Sequence, residues 1–359
     1  MIIGHERNQQ YLLRAMNAGV LAHTYLFGGP AAVGKKTFAL AVAEHLLCEN
    51  PVPTRISGCS PDPADGEARS VCASCRLVRA GTHPDVVFLS REARLAADAG
   101  QRDLSAGQAG LPAAAPKESS ARTNLRSDGF GRGRSEGIGI EDIRELRERV
   151  SRTPWSGKRI IAIIDGVEAL SRDAAVALLK TLEEPGADVV FFLITDAAGA
   201  VLPTIRSRAV PLHFAFVRDA DLAPLLAGVP AARRGEYLTL ASGRPGVLVR
   251  MREDDGYRAA EKARREEFER LHRTGLAGHF AFADQGAKEP GRLEAYLSFL
   301  LERGHAALPT ARPGEIARIG AILRSALRTL AFLEGTPANR RLLADAFFFE
   351  LSGFNVPPR

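Results

Sequence analysis

Past Cys75 the chain contains no cysteine, and no apolar run approaches the ~20 residues that a membrane-spanning helix needs. The first excludes a disulfide framework spread through the protein, and the second excludes a helical membrane protein. The opening Met1-Ile-Ile-Gly-His-Glu-Arg-Asn8 lacks the apolar core of a secretory signal, so a soluble cytoplasmic protein is expected. Aromatics are scarce, with one Trp and five Tyr in 359 residues, and no aromatic-plus-basic stacking surface is visible in the pattern. A stand-alone nucleic-acid binder built on stacking is therefore disfavoured. The net charge of +6 and pI near 9.3 permit contact with nucleic acid without demanding it, since a mild excess of arginine is commonly solvated surface. Hydrophobic residues make up 45%, which suits a globular chain of two or three domains at this length.

The cysteines that are present lie close together, at Cys48, Cys59, Cys72 and Cys75. Cys72-Ala-Ser-Cys75 has the C-x-x-C spacing that lets two thiolates grip one tetrahedral ion. Four thiolates would close the coordination shell, so structural zinc is expected, with reduced, unliganded thiols as the alternative. The long gap from Cys59 to Cys72 makes Cys59 the least secure ligand.

Gly29-Pro-Ala-Ala-Val-Gly34-Lys35-Lys36 fits the phosphate-loop pattern G-x-x-x-x-G-K-[ST] except at its last position. There Lys36 replaces the hydroxyl that would hold magnesium, and an ammonium cannot ligate a cation. Taking Lys36-Thr37 as the K-T pair instead puts Lys35 where glycine is required. The context is right: a buried strand over Thr24–Phe27 precedes the loop, and a helix over Lys35–Leu47 comes after it. Gly29, Gly34, Lys35, Lys36 and Thr37 are the candidate nucleotide contacts. Asp165, at the end of the apolar run Arg159–Ile164, stands where such proteins carry a metal-reaching acid, but Gly166 replaces the Glu that would activate water. Losing a positioned base typically costs ~10²–10⁴ in rate. A nucleotide-binding architecture without self-contained hydrolysis is the expectation, and whether nucleotide still binds stays open.

Hydrophobic patterning predicts a helix over Glu6–Asn17 and strands over Asp85–Leu89, Lys158–Asp165, Val189–Thr195 and Val210–Phe214. Helices are expected at Glu141–Val150 and from a Ser171 cap to Glu183-Glu184-Pro185. Strands alternating with helices imply a parallel sheet flanked by helices. Residues 91–137, rich in Ala, Gly and Ser, read as a disordered insertion. Beyond Val217 the pattern is helical: Asp219–Gly228, Arg233–Ser242 and Pro245–Arg250, then Arg264–Arg273, Leu293–Arg303, Glu315–Leu333 and Arg340–Leu351. Phe332, Phe347, Phe348 and Phe349 are expected to form a broad apolar surface suited to an oligomer contact.

Gly4-His5-Glu6, His23-Thr-Tyr-Leu-Phe-Gly-Gly-Pro30, Gly34-Lys35, the cysteine cluster, Gly81-Thr-His-Pro-Asp85, Ala177-Leu-Leu-Lys-Thr-Leu-Glu-Glu-Pro185 and Thr204-Ile-Arg-Ser-Arg208 together resemble the bacterial clamp-loader family of AAA+ proteins. The degenerate loop and missing Glu are similar to the family's non-motor, delta-prime branch rather than to its gamma/tau motors. The resemblance implies an AAA+ domain over 1–214 with a zinc module at about 48–75, a helical lid over 215–256 and a helical collar over 257–359. It implies a replication protein that is not an ATPase by itself, working with gamma/tau and delta subunits, a sliding clamp and primed DNA. Ser207-Arg208-Ala209 corresponds to the family's Ser-Arg-Cys motif, so Arg208 would act in trans as an arginine finger. In the lid, Gly246 stands where motors carry a sensor arginine, with Arg244 displaced by two positions. A catalytically active gamma/tau-like ATPase is the alternative.

Overall fold

A computed structural model of the chain describes residues 2–59, 71–90, 137–156, 158–289, 291–308, 311–335 and 339–353. The insertion expected over 91–137 lies, apart from Gly137, outside the described residues, as does the stretch 60–70 between Cys59 and Cys72. The chain divides into two compact units, Met1–Pro30 with Gly34–Ala215, and Ala31–Val33 with Phe216–Arg359.

In the first unit the chain runs through α1 (Glu6–Asn17), β1 (Thr24–Gly28), α2 (Lys35–Leu47), α3 (Ala73–Ala80) and β2 (Val86–Ser90). It continues through α4 (Ile140–Val150), β3 (Ile160–Asp165), α5 (Arg172–Glu183), β4 (Val189–Thr195), α6 (Pro203–Arg206) and β5 (Val210–His213). The strands form one parallel sheet in the order β2-β3-β4-β1-β5. Every residue of β1 and β4 is buried, as strands covered by helices on both faces must be. Ile164, Leu178, Phe191 and Leu193 are part of the core cluster, where full burial of each such side chain contributes roughly 1.5–3 kcal/mol. Ser171 caps α5 as expected, its Oγ accepting the Ala174 N–H at 3.2 Å. This is the parallel α/β phosphate-loop architecture that the resemblance implies, succeeded by an all-helical region.

Helix α3 goes beyond the sequence expectation, which left the residues after the C-x-x-C unassigned. It begins on Cys72, whose Sγ accepts the Cys75 N–H at 3.4 Å as a side-chain cap. The Gly81-Thr-His-Pro-Asp85 motif ties the end of α3 to the start of β3. The buried Asp85 carboxylate accepts N–H groups of Trp155 (2.7 Å) and Ser156 (2.8 Å), fixing the turn before β3. His83 Nδ1 accepts the Asp85 N–H at 3.1 Å, so Nε2 carries the proton and donates to Ser74 Oγ at 2.9 Å. The motif is a structural lock.

The second unit contains α7 (Asp219–Leu222), α8 (Ala231–Ala241), α9 (Pro245–Glu253), α10 (Asp255–Arg273), α11 (Leu276–Lys288), α12 (Arg292–Ala307), α13 (Pro313–Gly335) and α14 (Arg340–Gly353). The helix expected over Asp219–Gly228 is shorter, because the chain tightens into a 3₁₀ turn at Ala223–Leu226, where Pro224 lacks the N–H an α-helix requires. Helix α11 lies within the stretch read as helical, between the main pieces named from sequence, and α10 begins earlier than the expected Arg264. Tyr296, Phe268, Phe282, Phe347 and Phe348 share one core. The expected apolar surface is therefore corrected: Phe347 and Phe348 are buried, whereas Phe349 is exposed and Phe332 half open to solvent. Among the described residues no helix is long and apolar enough to cross a membrane.

Candidate functional site

The phosphate-loop lysine is fully committed within its own unit. Lys35, only 4% exposed, donates through Nζ to Gly29 O and Pro30 O at 2.6 Å each and pairs with Asp196 Oδ1 at 2.7 Å. Gly34 supplies the turn into α2 at φ 103°. The ammonium thus closes the loop on its own carbonyls. Any phosphate approaching it would have to compete with two acceptors and face the Asp196 carboxylate.

Lys36 points elsewhere, its Nζ lying 4.3 Å from the Phe88 ring centroid in a cation–π contact on β2. Thr37 is exposed on the first turn of α2. Asp165 is half-buried at the end of β3, in register with Ile194 of β4, while Thr195 at the end of β4 is in register with Gly28 of β1. The sheet therefore brings the acid to the same edge as the loop, one strand away. The Thr195 hydroxyl accepts the Ala197 N–H at 3.0 Å. Sequence reasoning missed Asp196. No local signal marks it, since it lies one residue beyond β4 and reaches the loop only through the pairing of β4 with β1.

In the second unit, the Gly246 N–H donates to Ala32 O at 2.9 Å, and a Cβ at 246 would itself lie 2.9 Å from that oxygen. Any side chain at 246 would therefore press on the Ala32 backbone. Arg244 is a buried structural group, pairing with Glu302 at 2.8 Å and Glu261 at 3.1 Å and donating to Leu240 O and Ala241 O. Burial pushes the Glu302 carboxyl up to about 7, although Arg244 opposes this.

Arg208 comes just after α6 on the surface of the first unit and is 37% exposed. Its guanidinium donates to Glu183 Oε1 (2.6 Å), Thr204 O (3.1 Å) and Ser207 Oγ (3.4 Å). Ala209, the next residue, is buried.

The Sγ atoms of Cys48, Cys59, Cys72 and Cys75 all lie within 4.8 Å of one another. Thiolates about 2.3 Å from a tetrahedral ion sit about 3.8 Å apart, so the group can hold a metal ion. Cys48 and Cys59 approach to 3.2 Å. Gly58 belongs to the same cradle, since a Cβ there would fall 2.5 Å from Cys75 Sγ and 2.3 Å from Glu44 Oε1. Glu44 is itself held by Arg79 at 2.7 Å. Burial pushes the Cys48 thiol up to about 11 and raises Cys75 further. Burial would also raise Cys72, but donated hydrogen bonds, from the Glu49 and Cys75 backbones first, bring it down to about 7. A cation among these sulfurs is what would let the buried pair ionise. The structure thus gathers all four predicted cysteines, Cys59 included.

Comparison with known proteins places the chain in a family. The family model described as DNA polymerase III, delta subunit, matches residues 4–218. A DNA polymerase III subunit delta′ from Pseudomonas aeruginosa is 32% identical over 234 residues, 64% of this chain and 56% of that protein. A DNA polymerase III subunit tau from Salmonella typhimurium is 28% identical over 212 residues, 59% of this chain and 24% of that protein. The matched region thus spans about half of the delta′ relative and a quarter of the tau relative. A solved DNA polymerase III gamma-subunit-related protein from Thermotoga maritima aligns over 96% of this chain and 98% of its own, at 13% identity and a TM-score of 0.37, too low to bear on the argument.

Proposed function

Because the chain belongs to the DNA polymerase III delta-subunit family, we propose that it is a delta-prime-type, non-motor component of a bacterial clamp loader. In this reading it does not hydrolyse ATP alone. It completes a ring with gamma/tau and delta subunits in the cytoplasm, and supports loading of the sliding clamp onto primed DNA. Its domains are the AAA+ unit over 1–214, the lid over 215–256 and the collar over 257–359. Cys48, Cys59, Cys72 and Cys75 hold a structural zinc ion, which supplies cross-linking of the loop to α3 and no chemistry. Gly29, Gly34, Lys35, Lys36, Thr37 and Asp165 are remnants of a nucleotide site.

One contrast carries the proposal. Lys35, which a motor needs available for phosphate, is buried and engaged by Gly29, Pro30 and Asp196, whereas Arg208 is exposed and paired only with the solvent-exposed Glu183 and local acceptors. A guanidinium placed from outside stabilises charge developing on a transferred phosphoryl group, and such fingers contribute about 10³–10⁵ in rate. Arg208 is assigned that role at a neighbour's ATP site.

The match to a tau subunit keeps the motor reading in view. Both are tested on the purified chain and on a loader reconstituted with gamma/tau and delta. The chain alone is expected to show no magnesium-dependent ATP turnover. Arg208→Ala should enter the complex normally and depress clamp- and DNA-stimulated hydrolysis. Full stimulation by the variant refutes the finger, and steady turnover by the isolated chain, abolished by Lys35→Ala, establishes the motor.

A further inference from the structure

Helix α1 has one face that the proposed function does not use. Leu12 is fully buried, whereas Arg7, Gln10, Tyr11 and Arg14 are exposed along the opposite side. Arg7, Tyr11 and Arg14 are four and three residues apart, so they share one stripe of the helix. With Ala15, Ala18 and Val20 they line a concavity of about 460 Å³ that has no carboxylate among the described residues. Tyr11, one of the residues lining this hollow, is 45% exposed. The Arg7 and Arg14 side chains make no hydrogen bond or ion pair with the described residues. Elsewhere in the same unit Arg79, Arg144 and Arg152 each hold a carboxylate.

We propose that this face binds single-stranded nucleic acid, a base stacking on Tyr11 and the flanking phosphates pairing with Arg7 and Arg14. The chemistry of the three groups selects this occupant. Guanidinium forks match phosphate oxygens, and an open aromatic ring accepts any base by stacking. The two arginines stand two helical turns apart, about 10 Å along the axis, which leaves room between them for one nucleoside. An acidic polypeptide would satisfy the arginines but leave the Tyr11 ring without a partner. The sequence hides the arrangement because the three residues are not adjacent; only the helix assembles them.

The test is a titration of a fluorescent oligothymidylate with the full chain, monitored by anisotropy at several salt concentrations. The wild-type chain is expected to bind, with affinity falling as salt rises. Arg7→Ala/Arg14→Ala should weaken binding and reduce the slope of log affinity against log salt by about 1.4, the share of two phosphates on a single strand. Tyr11→Leu should weaken binding about tenfold with its slope unchanged, the mark of lost stacking. All substituted side chains are exposed, and unchanged circular dichroism confirms folding. The proposal is overturned if wild type does not bind, or if the double variant keeps the wild-type slope. Binding by Tyr11→Leu equal to wild type, with displacement by polyglutamate, overturns it in favour of an acidic polypeptide.

Discussion

Lys35→Ala separates a structural lysine from a catalytic one. In a motor the phosphate-loop lysine serves the nucleotide, so its removal abolishes turnover and leaves the unliganded fold largely unaffected. Here the ammonium holds Gly29 O and Pro30 O at 2.6 Å, and losing it strands two carbonyls inside a tight loop. Hydrogen bonds to a charged group contribute about 1.5–3 kcal/mol each, but both carbonyls are partly open to water and recover some solvation. The Asp196 pair adds little, because that carboxylate is 54% exposed and surface pairs are worth about 0–1 kcal/mol. A net loss of about 2 kcal/mol is expected. For a domain of 150–250 residues this lowers the melting temperature by roughly 4–8 °C. Thermal unfolding without nucleotide measures it. The reasoning fails if Lys35→Ala melts with the wild type, or if MgATP raises the melting temperature of the wild type and not of the variant, since a ligand stabilises only what it binds.

The purified chain should carry one zinc per molecule by elemental analysis, and removal by a chelator should lower its melting temperature; a metal-free chain of equal stability would refute the zinc assignment. Gly58→Ala should lose the ion even though every cysteine remains, because its methyl would fall 2.5 Å from Cys75 Sγ. The buried Glu302 sets a pH dependence. Its folded-state pKa is raised to about 7, so the folded chain holds a proton that the unfolded chain releases nearer 4.5. The contribution to stability is fully present at low pH and is lost as pH rises through 7, by about 3 kcal/mol in all. Glu302→Gln should flatten that loss in melts between about pH 5 and 8. Parallel pH curves for the two proteins would show that Glu302 does not titrate in this window.

The sheet was legible because its strands are apolar on both faces: Ile160–Ile164 and Val189–Thr195 permit few other readings, and their boundaries moved by only a residue or two. The Ser171 cap and the metal-binding capacity of the four cysteines were legible for the same local reason, since each depends on residue types at short spacing. What failed depended on partners distant in sequence. Asp196 went unread as the partner of Lys35, because nothing near Lys35 in the chain announces it; it arrives through the pairing of β1 with β4. The run Phe347-Phe348-Phe349 read as one surface, yet a helix turns 100° per residue and sends only Phe349 outward. Arg244 read only as an arginine displaced from the sensor position, and its burial went unread because its two glutamates lie 17 and 58 residues further on.

Two arginines near the family's functional motifs can be ranked by what each would give up to reach another chain. Arg244 is 11% exposed and lies between Glu261 and Glu302, exposed 7% and 8%. Withdrawing it would leave two buried carboxylates on α10 and α12 without their cation, and breaking a buried pair in this way costs about 3–5 kcal/mol. Arg208 is 37% exposed and its partner Glu183 is 48% exposed, so water replaces either partner and release costs about 1 kcal/mol or less. A neighbouring triphosphate offers several oxygens with more charge than one solvated carboxylate, and geometry that a guanidinium can meet with two bonds at once. The exposed arginine can change partners at far lower cost, which is why the proposed finger is Arg208 and not Arg244.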